Sequence, residues 1–259
     1  MELSDREAPG RPTIGRPLGI GTGAATAAGS VADAPIVQLA DVIKVYREVD
    51  IETIALRGVD LEIASGEFVA LMGRSGSGKS TLLHLLAGSD RPTAGRVVVA
   101  GVDLSRAEEA DRIRLRGSTV GIVFQSGNLV PFLDLEENMQ LAAALADRHA
   151  DRATVTAALD RVGLADRANH RPDHLSGGEQ QRAALATVLL TRPAILLADE
   201  ISGELDSANA TMVLDQVAEL HRSEGMTIVL ATHDPQVAAR ADRIVELLDG
   251  RIIVDRRLR

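Results

Sequence analysis

The stretch Gly73-Arg74-Ser75-Gly76-Ser77-Gly78-Lys79-Ser80 decides the fold of this 259-residue chain. It has the pattern G-x-x-x-x-G-K-S. Residues 68–72 before it form a short apolar run, as expected for a buried strand, and residues 81–87 after it favour an apolar helix. A strand, a glycine-rich turn and a helix in this order are the context that a phosphate-binding loop requires. The sequence therefore predicts such a loop at residues 73–80.

The chemistry of the stretch suits a bound nucleotide. Its glycines let successive N–H groups point at one anion, and the start of the following helix adds partial positive charge. We expect Lys79 to neutralise the β- and γ-phosphates, the Ser80 hydroxyl to hold Mg²⁺, and Thr81 to complete the nucleotide-binding stretch. Of the 28 basic residues only Lys44 and Lys79 are lysine. A compact ammonium kept at position 79 suits a point-charge contact better than a bidentate one.

Composition excludes several classes of function. The hydrophobic content of 45% is ample for a core. A net charge of −9 argues against general nucleic-acid affinity, so no nucleic-acid partner is expected. The chain has no cysteine, which excludes disulfides and thiolate metal sites. No run approaches the roughly 20 apolar residues of a membrane span.

The first 34 residues differ from the rest of the chain. They are rich in Gly, Ala, Pro and Thr with little periodicity, and they lack the basic start and apolar core of a signal peptide. We expect residues 1–34 to be a disordered tail, although an overlong gene model accounts for their composition equally well. Residues 35–259 are then one domain.

Strands alternate with helices beyond the loop, which predicts an α/β fold with a parallel sheet. The helical stretch at about residues 127–190 looks like an insertion into this sheet. Two further strands are expected before the loop, one at 36–42 and one at 59–63. The Asp249-Gly250 turn predicts a closing hairpin. The other predicted strands are 68–72, 97–99, 119–124, 194–198 and 227–231, and the other predicted helices are 135–146, 151–162, 176–192, 207–222 and a short one from Pro235.

Two strand ends carry candidate catalytic groups. The apolar run 195–198 ends in Asp199 and Glu200, at the sheet edge where open α/β folds bind ligands. Asp199 would orient the Mg²⁺ shell, and Glu200 would take a proton from an attacking water. His233 ends the next strand. Taken alone, the acidic pair is also compatible with an ordinary turn, and His233 with a helix cap or a surface residue.

The run Leu175-Ser176-Gly177-Gly178-Glu179-Gln180-Gln181-Arg182 is the most specific signal in the chain. Ser176 and Glu179 have the spacing of a helix capping box. The capping box leaves the two glycines unexplained, because glycine weakens a helix start unless something approaches the backbone. The whole run resembles the signature motif of ATP-binding-cassette (ABC) ATPases. The resemblance covers about residues 36–255.

The resemblance implies a P-loop NTPase (RecA-like) fold, with a parallel-sheet core, an antiparallel β subdomain and an inserted α-helical subdomain at about 127–190. It also implies ATP and Mg²⁺ as cofactors. Tyr46 would stack on adenine, although a core or edge-strand tyrosine is the alternative. Gln125 would be the Q-loop residue, with a catalytic role and a metal contact, and His233 the switch histidine. The remaining nucleotide contacts implied are Ser176, Gly177, Gly178, Glu179 and Asp206.

Finer features are similar to the MacB/LolD group of exporters, lipoprotein-release ATPases and cell-division relatives. They lie in residues 125–133 and 87–95 and around His233. Two positions depart from that group. Ile201 replaces a proline, so we expect a less constrained entry to the following D-loop. Thr187 replaces an arginine, so we expect one supporting ion pair to be absent.

Family resemblance implies that the chain pairs head to tail with a second copy, or a related ATPase domain, around two ATP molecules. It would then drive a separate integral membrane permease from the cytoplasmic face of the membrane, in export or in lipoprotein or lipid handling. The alternative is a regulatory ATPase that signals through a membrane partner without transport. An ABC protein acting on ribosomes or DNA is not favoured, because the chain has one cassette and no heptad run.

Overall fold

The computed structural model describes residues 35–48, 51–201 and 207–258. The predicted tail at 1–34 and the D-loop residue Asp206 lie outside the described residues. In chain order the elements are β1 (Val37–Glu48), β2 (Ile51–Ile63), β3 (Phe68–Met72), α1 (Lys79–Leu86), β4 (Ala94–Val99), β5 (Val102–Asp103), α2 (Glu109–Ser118), β6 (Val120–Val123), α3 (Leu135–Leu145), α4 (Arg152–Arg161), α5 (Gly177–Thr191), β7 (Ile195–Asp199), α6 (Ser207–Glu224), β8 (Thr227–Thr232), α7 (Pro235–Ala238), β9 (Arg243–Leu248) and β10 (Arg251–Arg257).

A six-stranded sheet forms the centre, in the order β10-β9-β3-β8-β7-β6. Its five strands β9, β3, β8, β7 and β6 are parallel, and β10 pairs antiparallel with β9 through the Asp249-Gly250 turn. The predicted parallel sheet and closing hairpin are therefore confirmed. Because the strands are parallel, the segments that follow β3, β8, β7 and β6 all emerge at one edge of the sheet.

Strands β3, β7 and β8 are buried along almost their whole length, as in sheets covered on both faces. Alternate side chains enter two separate cores. One core holds the helices α3–α6, and the other holds α1 and the antiparallel sheet. The side chains facing the first core include Phe68, Ala70, Leu196, Ala198, Ile228 and Leu230, and those facing the second include Val69, Leu71, Ile195, Leu197 and Val229.

A second, antiparallel sheet has the order β2-β1-β4-β5. The strand predicted at 59–63 is only the second half of β2, which begins at Ile51. The first four residues of β2 are exposed, so they carry no apolar alternation that would reveal a strand. Strand β1 is interrupted by bulges and places Tyr46 opposite Thr53.

Helix α2 was not predicted. Half of its residues are arginine or acidic, and it buries only Arg112 and Leu115, so its apolar periodicity is weak. The helices α3, α4 and α5 pack on one another through residues such as Leu135, Met139, Val155, Leu159 and Leu185. Within the described part of the chain, no helix is long and apolar enough to cross a membrane.

Candidate functional site

The glycine-rich stretch forms the connection between β3 and α1. Gly73 has a φ of +152°, and a Cβ at this position would lie 2.5 Å from both the Leu247 carbonyl oxygen and the Ser77 Oγ. The N–H of Ser77 donates to the Arg74 carbonyl at 3.1 Å, which closes a turn. Only glycine fits at position 73, so the curled backbone follows directly from the sequence.

Lys79 lies inside this turn and is 5% exposed. Its Nζ donates to the carbonyl oxygens of Gly73 at 2.9 Å and Arg74 at 3.2 Å, and lies 3.6 Å from Glu200 Oε1. A buried ammonium with these partners matches the compact point charge expected at this position.

The β9–β10 turn supports the loop from the opposite end of the chain. The N–H of Gly250 donates to the Ser77 carbonyl at 3.0 Å, and the N–H of Arg57 donates to the Gly250 carbonyl at 2.8 Å. Gly250 has a φ of +75°, and a Cβ there would lie 2.6 Å from the Ala55 carbonyl oxygen. Sequence reasoning missed this support, because no local pattern relates Gly250 to Ser77.

The two predicted catalytic strand ends lie side by side, because β7 and β8 are neighbours. Glu200 follows β7 with a φ of +46°, and its N–H still donates to the Ala231 carbonyl of β8 at 3.0 Å. Its Oε1 lies 3.3 Å from His233 Nδ1. The structure thus brings together Lys79, Glu200 and His233, which are far apart in the sequence.

Asp199 has the environment of a metal-binding carboxylate. Its Oδ1 is buried and finds no hydrogen-bond donor among the described residues. Ser80 is exposed at the start of α1. Strand β7 lies two positions from β3, which corresponds to about 10 Å at normal strand spacing. No group of three or more His, Asp or Glu side chains within the described ranges would hold a metal by itself.

Gln125 follows β6, at the same edge of the sheet. Its carbonyl oxygen accepts a hydrogen bond from Gln181 Nε2, which also donates to the Phe124 carbonyl at 3.1 Å. Gln181 is buried and belongs to α5. The segment after β6 is therefore tied directly to the helix that starts with the signature residues.

The start of α5 confirms the capping box. Ser176 is the N-cap, its Oγ accepts from the Glu179 N–H at 3.3 Å, and Glu179 Oε2 accepts from the Ser176 N–H at 2.8 Å. The backbone and side-chain hydrogen bonds from Ser176 lower the pKa of Glu179. The carboxylate of Glu179 therefore orders Ser176, which is exposed together with Gly177.

Gly178 differs from Gly177 in being buried. A Cβ at Gly178 would lie 2.7 Å from Asn209 Cγ on α6, so the side chain of Asn209 is what approaches the helix backbone here. Asn209 Oδ1 also accepts from Arg182 Nη1 at 2.6 Å. This contact gives Gly178 a packing role that the sequence did not reveal.

Tyr46 lies on β1 and is 37% exposed, which does not fit a core tyrosine. Its hydroxyl donates to Asp90 Oδ2 at 3.0 Å, and Lys44 Nζ lies 4.7 Å from its ring centroid. Neither Lys44 nor Asp90 was predicted as a site residue. The scarcity of lysine was the one available signal for Lys44.

At both positions that depart from the MacB/LolD pattern, Ile201 and Thr187, the structure shows what the side chain contacts. Ile201 is 2% exposed and belongs to the core that includes α5 and α6. Packing rather than a proline ring therefore fixes residue 201 itself. The Thr187 hydroxyl donates to the Ala183 carbonyl of its own helix at 2.9 Å.

Comparison with known proteins identifies the family. The profile described as ABC transporter matches residues 56–203. The macrolide export ATP-binding/permease protein MacB of Hyphomonas neptunium is 44% identical over 85% of this chain, which spans 34% of the length of that protein. The lipoprotein-releasing system ATP-binding protein LolD of Anaeromyxobacter dehalogenans is 46% identical over 85% of this chain and 94% of its own length.

Solved structures agree in fold. The dimeric post-hydrolysis state of the ATP-binding cassette MJ0796, bound to ADP and Pi, has a TM-score of 0.80 and 37% identity, covering 86% of this chain and 99% of that one. The predicted class, a P-loop NTPase with a parallel core, an antiparallel sheet and added helices, is confirmed. By family profile, by relatives over most of its length and by fold, this chain belongs to the ABC transporter family.

Proposed function

We propose that the chain is the ATP-hydrolysing subunit of an ABC transporter. The observation that carries the proposal is the contact of Glu200 with Lys79 and His233 beside the glycine-rich loop. Lys79 would hold the β- and γ-phosphates, and Glu200 would accept a proton from the attacking water. His233 lies next to Glu200 on its exposed side and would orient the same water or the γ-phosphate.

Mg²⁺ fits the donors at this edge of the sheet. The orphan Oδ1 of Asp199, the Ser80 hydroxyl and the Gln125 side chain would hold it, with phosphate and water oxygens completing the shell. When bound, the ion would neutralise the negative charge that develops on the phosphates. A small number of protein ligands, with the rest supplied by phosphates and waters, is typical of Mg²⁺ at nucleotide sites.

The base would stack on Tyr46, and the signature residues would reach the nucleotide of a second copy. The exposed Ser176 and Gly177 lie at the start of a 15-residue helix, where N–H groups and the helix dipole favour an anion. The MJ0796 cassette is dimeric in its ADP- and Pi-bound state, which supports a head-to-tail pair for this chain. Asp206 would lie at the same interface.

A disulfide crosslink tests the head-to-tail pair. Ser75 and Gly177 are both exposed, and the native chain has no thiol, so Ser75→Cys with Gly177→Cys introduces the only two cysteines. In a Glu200→Gln background, ATP should promote an intermolecular bond between them, measured on a non-reducing gel. Each single-cysteine variant is the control. An intramolecular bond alone, or none while ATP is demonstrably bound, would contradict the arrangement.

The partner we propose is an integral membrane permease on a separate chain, with the ATPase on the cytoplasmic face of the membrane. The LolD relative is named an ATP-binding protein and matches over 94% of its length. The MacB relative is named an ATP-binding/permease protein, and this chain spans only 34% of its length. The names of these relatives favour export or lipoprotein handling over a purely regulatory role.

The permease would bind after Gln125. This segment and the start of α5 border a groove of about 540 Å³ that includes Gln125, Leu129, Pro131 and Gln180. Phe132, next to it, is 70% exposed. Together with Leu129, Pro131 and Leu133, which are also not buried, Phe132 makes a contiguous apolar surface, and such a surface marks a candidate contact site.

A charge at Phe132 tests this surface. Phe132→Glu should abolish capture of an integral membrane protein from detergent-solubilised membranes of the source organism by the tagged chain, while its own ATP hydrolysis stays within about twofold of wild type. The matched control is Leu145→Glu, since Leu145 is 71% exposed on α3. Equal capture by both variants would place the permease elsewhere.

A further inference from the structure

Three side chains form a closed contact group around Tyr46, which we call the tyrosine anchor: Lys44, Tyr46 and Asp90. Asp90 Oδ2 accepts from the Tyr46 hydroxyl at 3.0 Å, and Asp90 Oδ1 accepts from Lys44 Nζ at 2.6 Å. Lys44 Nζ also donates to the Arg91 carbonyl at 2.9 Å. The side chain of Lys44 is only 12% exposed, so its charge is held in place by these contacts.

The tyrosine anchor is fastened to the helix that begins at the phosphate loop. Asp90 lies just beyond the end of α1, and its N–H donates to the His84 carbonyl of that helix at 3.3 Å. Helix α1 starts at Lys79 and has eight residues, which corresponds to a length of about 12 Å. One short rigid element therefore links Lys79 to the carboxylate that holds Tyr46.

Strand β1 is joined to the same segment on both sides of Lys44. The N–H of Thr93 donates to the Ile43 carbonyl at 2.8 Å, and the N–H of Val45 donates to Thr93 Oγ1 at 2.9 Å. Both the backbone and the phenol of Tyr46 are thus fixed relative to α1. The distance between the aromatic ring and the loop is set by these bonds rather than by side-chain rotation.

The protonation states suit this arrangement. Burial alone would raise the pKa of Asp90, but hydrogen bonds from Lys44, from the Arg91 N–H and from Tyr46 outweigh it and hold the pKa below its usual value. Burial, together with the bond to Asp90, raises the pKa of Tyr46 despite an opposing hydrogen bond with Thr81. At neutral pH the carboxylate is charged and the phenol keeps the proton that it donates.

Lys44 also decides which face of the ring is available. Its ammonium lies over one face at 4.7 Å from the centroid, in the geometry of a cation–π contact. A planar base can then stack only on the opposite face. A lysine suits this position because one compact ammonium contacts Asp90, the Arg91 carbonyl and the ring at once, which a planar guanidinium would not do.

We propose that Lys44 and Asp90 are positioning residues for the nucleotide base, which hold Tyr46 with one open face at a fixed distance from the phosphate loop. The proposal rests on the proposed function, because it concerns the nucleotide that the loop would bind. It assigns the base, and not the phosphates, as the part of the ligand that depends on the tyrosine anchor.

The test compares ATP with inorganic triphosphate, each with Mg²⁺, by isothermal titration calorimetry. Tyr46→Phe keeps the ring and removes the hydroxyl that bonds to Asp90 and Thr81, and Lys44→Met keeps the stem and removes the ammonium. Tyr46→Phe should lower the affinity for ATP about three- to tenfold, the range for about one lost hydrogen bond. Lys44→Met should lower it at least as much, because its ammonium makes two hydrogen bonds and the ring contact. The affinity for triphosphate should stay unchanged in both variants. In Tyr46→Phe combined with Asp90→Ala, the losses should be less than additive, because both remove the bond between the phenol and residue 90.

Arg47→Met is the matched control. Arg47 lies on the same strand, its side chain is 77% exposed, and it pairs with Glu52, so this variant removes the same charge without touching the tyrosine anchor. Its ATP affinity should equal that of the wild type. Equal losses of ATP and triphosphate affinity in Lys44→Met would mean simple charge attraction and would overturn the proposal.

Unchanged ATP affinity in both Tyr46→Phe and Lys44→Met would also overturn it. Because the readout is the ratio of two affinities in one folded protein, a variant with less active protein still gives a valid ratio. Wild-type protein that binds neither ligand would contradict the proposed function itself. The two failures are therefore distinguishable.

Discussion

Glu200→Gln is expected to lower the rate of ATP hydrolysis by about 10²–10⁴-fold while ATP binding stays near the wild-type level. Glutamine keeps the volume and the backbone requirement of Glu200, which adopts a φ of +46°. It loses the negative charge that lies 3.6 Å from Lys79 and 3.3 Å from His233. A neutral amide cannot take the proton of an attacking water, so only the chemical step should fail.

Phosphate release and equilibrium ATP binding, measured on the same preparation, separate the two effects. The matched control is Glu246→Gln on β9 of the same sheet, three positions from β7, where Glu246 pairs in register with Met72 of β3. This control should hydrolyse ATP at the wild-type rate. Hydrolysis near wild type in Glu200→Gln would show that another group is the base.

The parts of the fold that could be predicted are the buried strands, because burial on both faces requires a continuous run of apolar residues in the sequence. Strands β3, β7 and β8 are short apolar runs, because both their faces are covered. Their parallel arrangement then places Asp199, Glu200 and His233 at one edge. Topology alone brought these residues near the phosphate loop, without any knowledge of side-chain contacts.

The elements that could not be predicted are those stabilised at the surface. Helix α2 buries little apolar area, and the first residues of β2 are exposed although they pair with β1. For such segments the backbone hydrogen bonds and neighbouring elements decide the structure. Hydrophobic periodicity does not record these contacts.

Contacts between residues that are far apart in the sequence could not be predicted either. Gly178 against Asn209, Gly250 against Ser77, and Lys44 against Asp90 join segments that no local motif connects. The contact of Gly178 with Asn209 also affects experimental design. A larger side chain at Gly178 would displace α6, so the exposed Gly177 is the better position for probing the signature.

Lys79→Ala is expected to weaken ATP binding by about 10²-fold or more, the equivalent of one or two lost charge-assisted hydrogen bonds. The alanine also leaves Glu200 without its cation at 3.6 Å. A bare carboxylate would then face the incoming phosphates. The measurement is ATP affinity by calorimetry, with a melting curve to establish that the variant is folded.

Arg74→Ala is the matched control, because it removes an exposed cation from the same loop. Its loss of affinity should be several times smaller than that of Lys79→Ala. Unchanged ATP affinity in Lys79→Ala would mean that the phosphates bind elsewhere.

The contact between Lys79 and Glu200 makes this prediction sharper. If the carboxylate adds repulsion once the ammonium is gone, Glu200→Gln should restore part of the lost affinity in the Lys79→Ala background, while it changes little in the wild type. A double-mutant cycle on ATP affinity measures this coupling directly. A coupling of zero would mean that the 3.6 Å contact does not persist when ATP is bound, and that Lys79 acts on the phosphates alone.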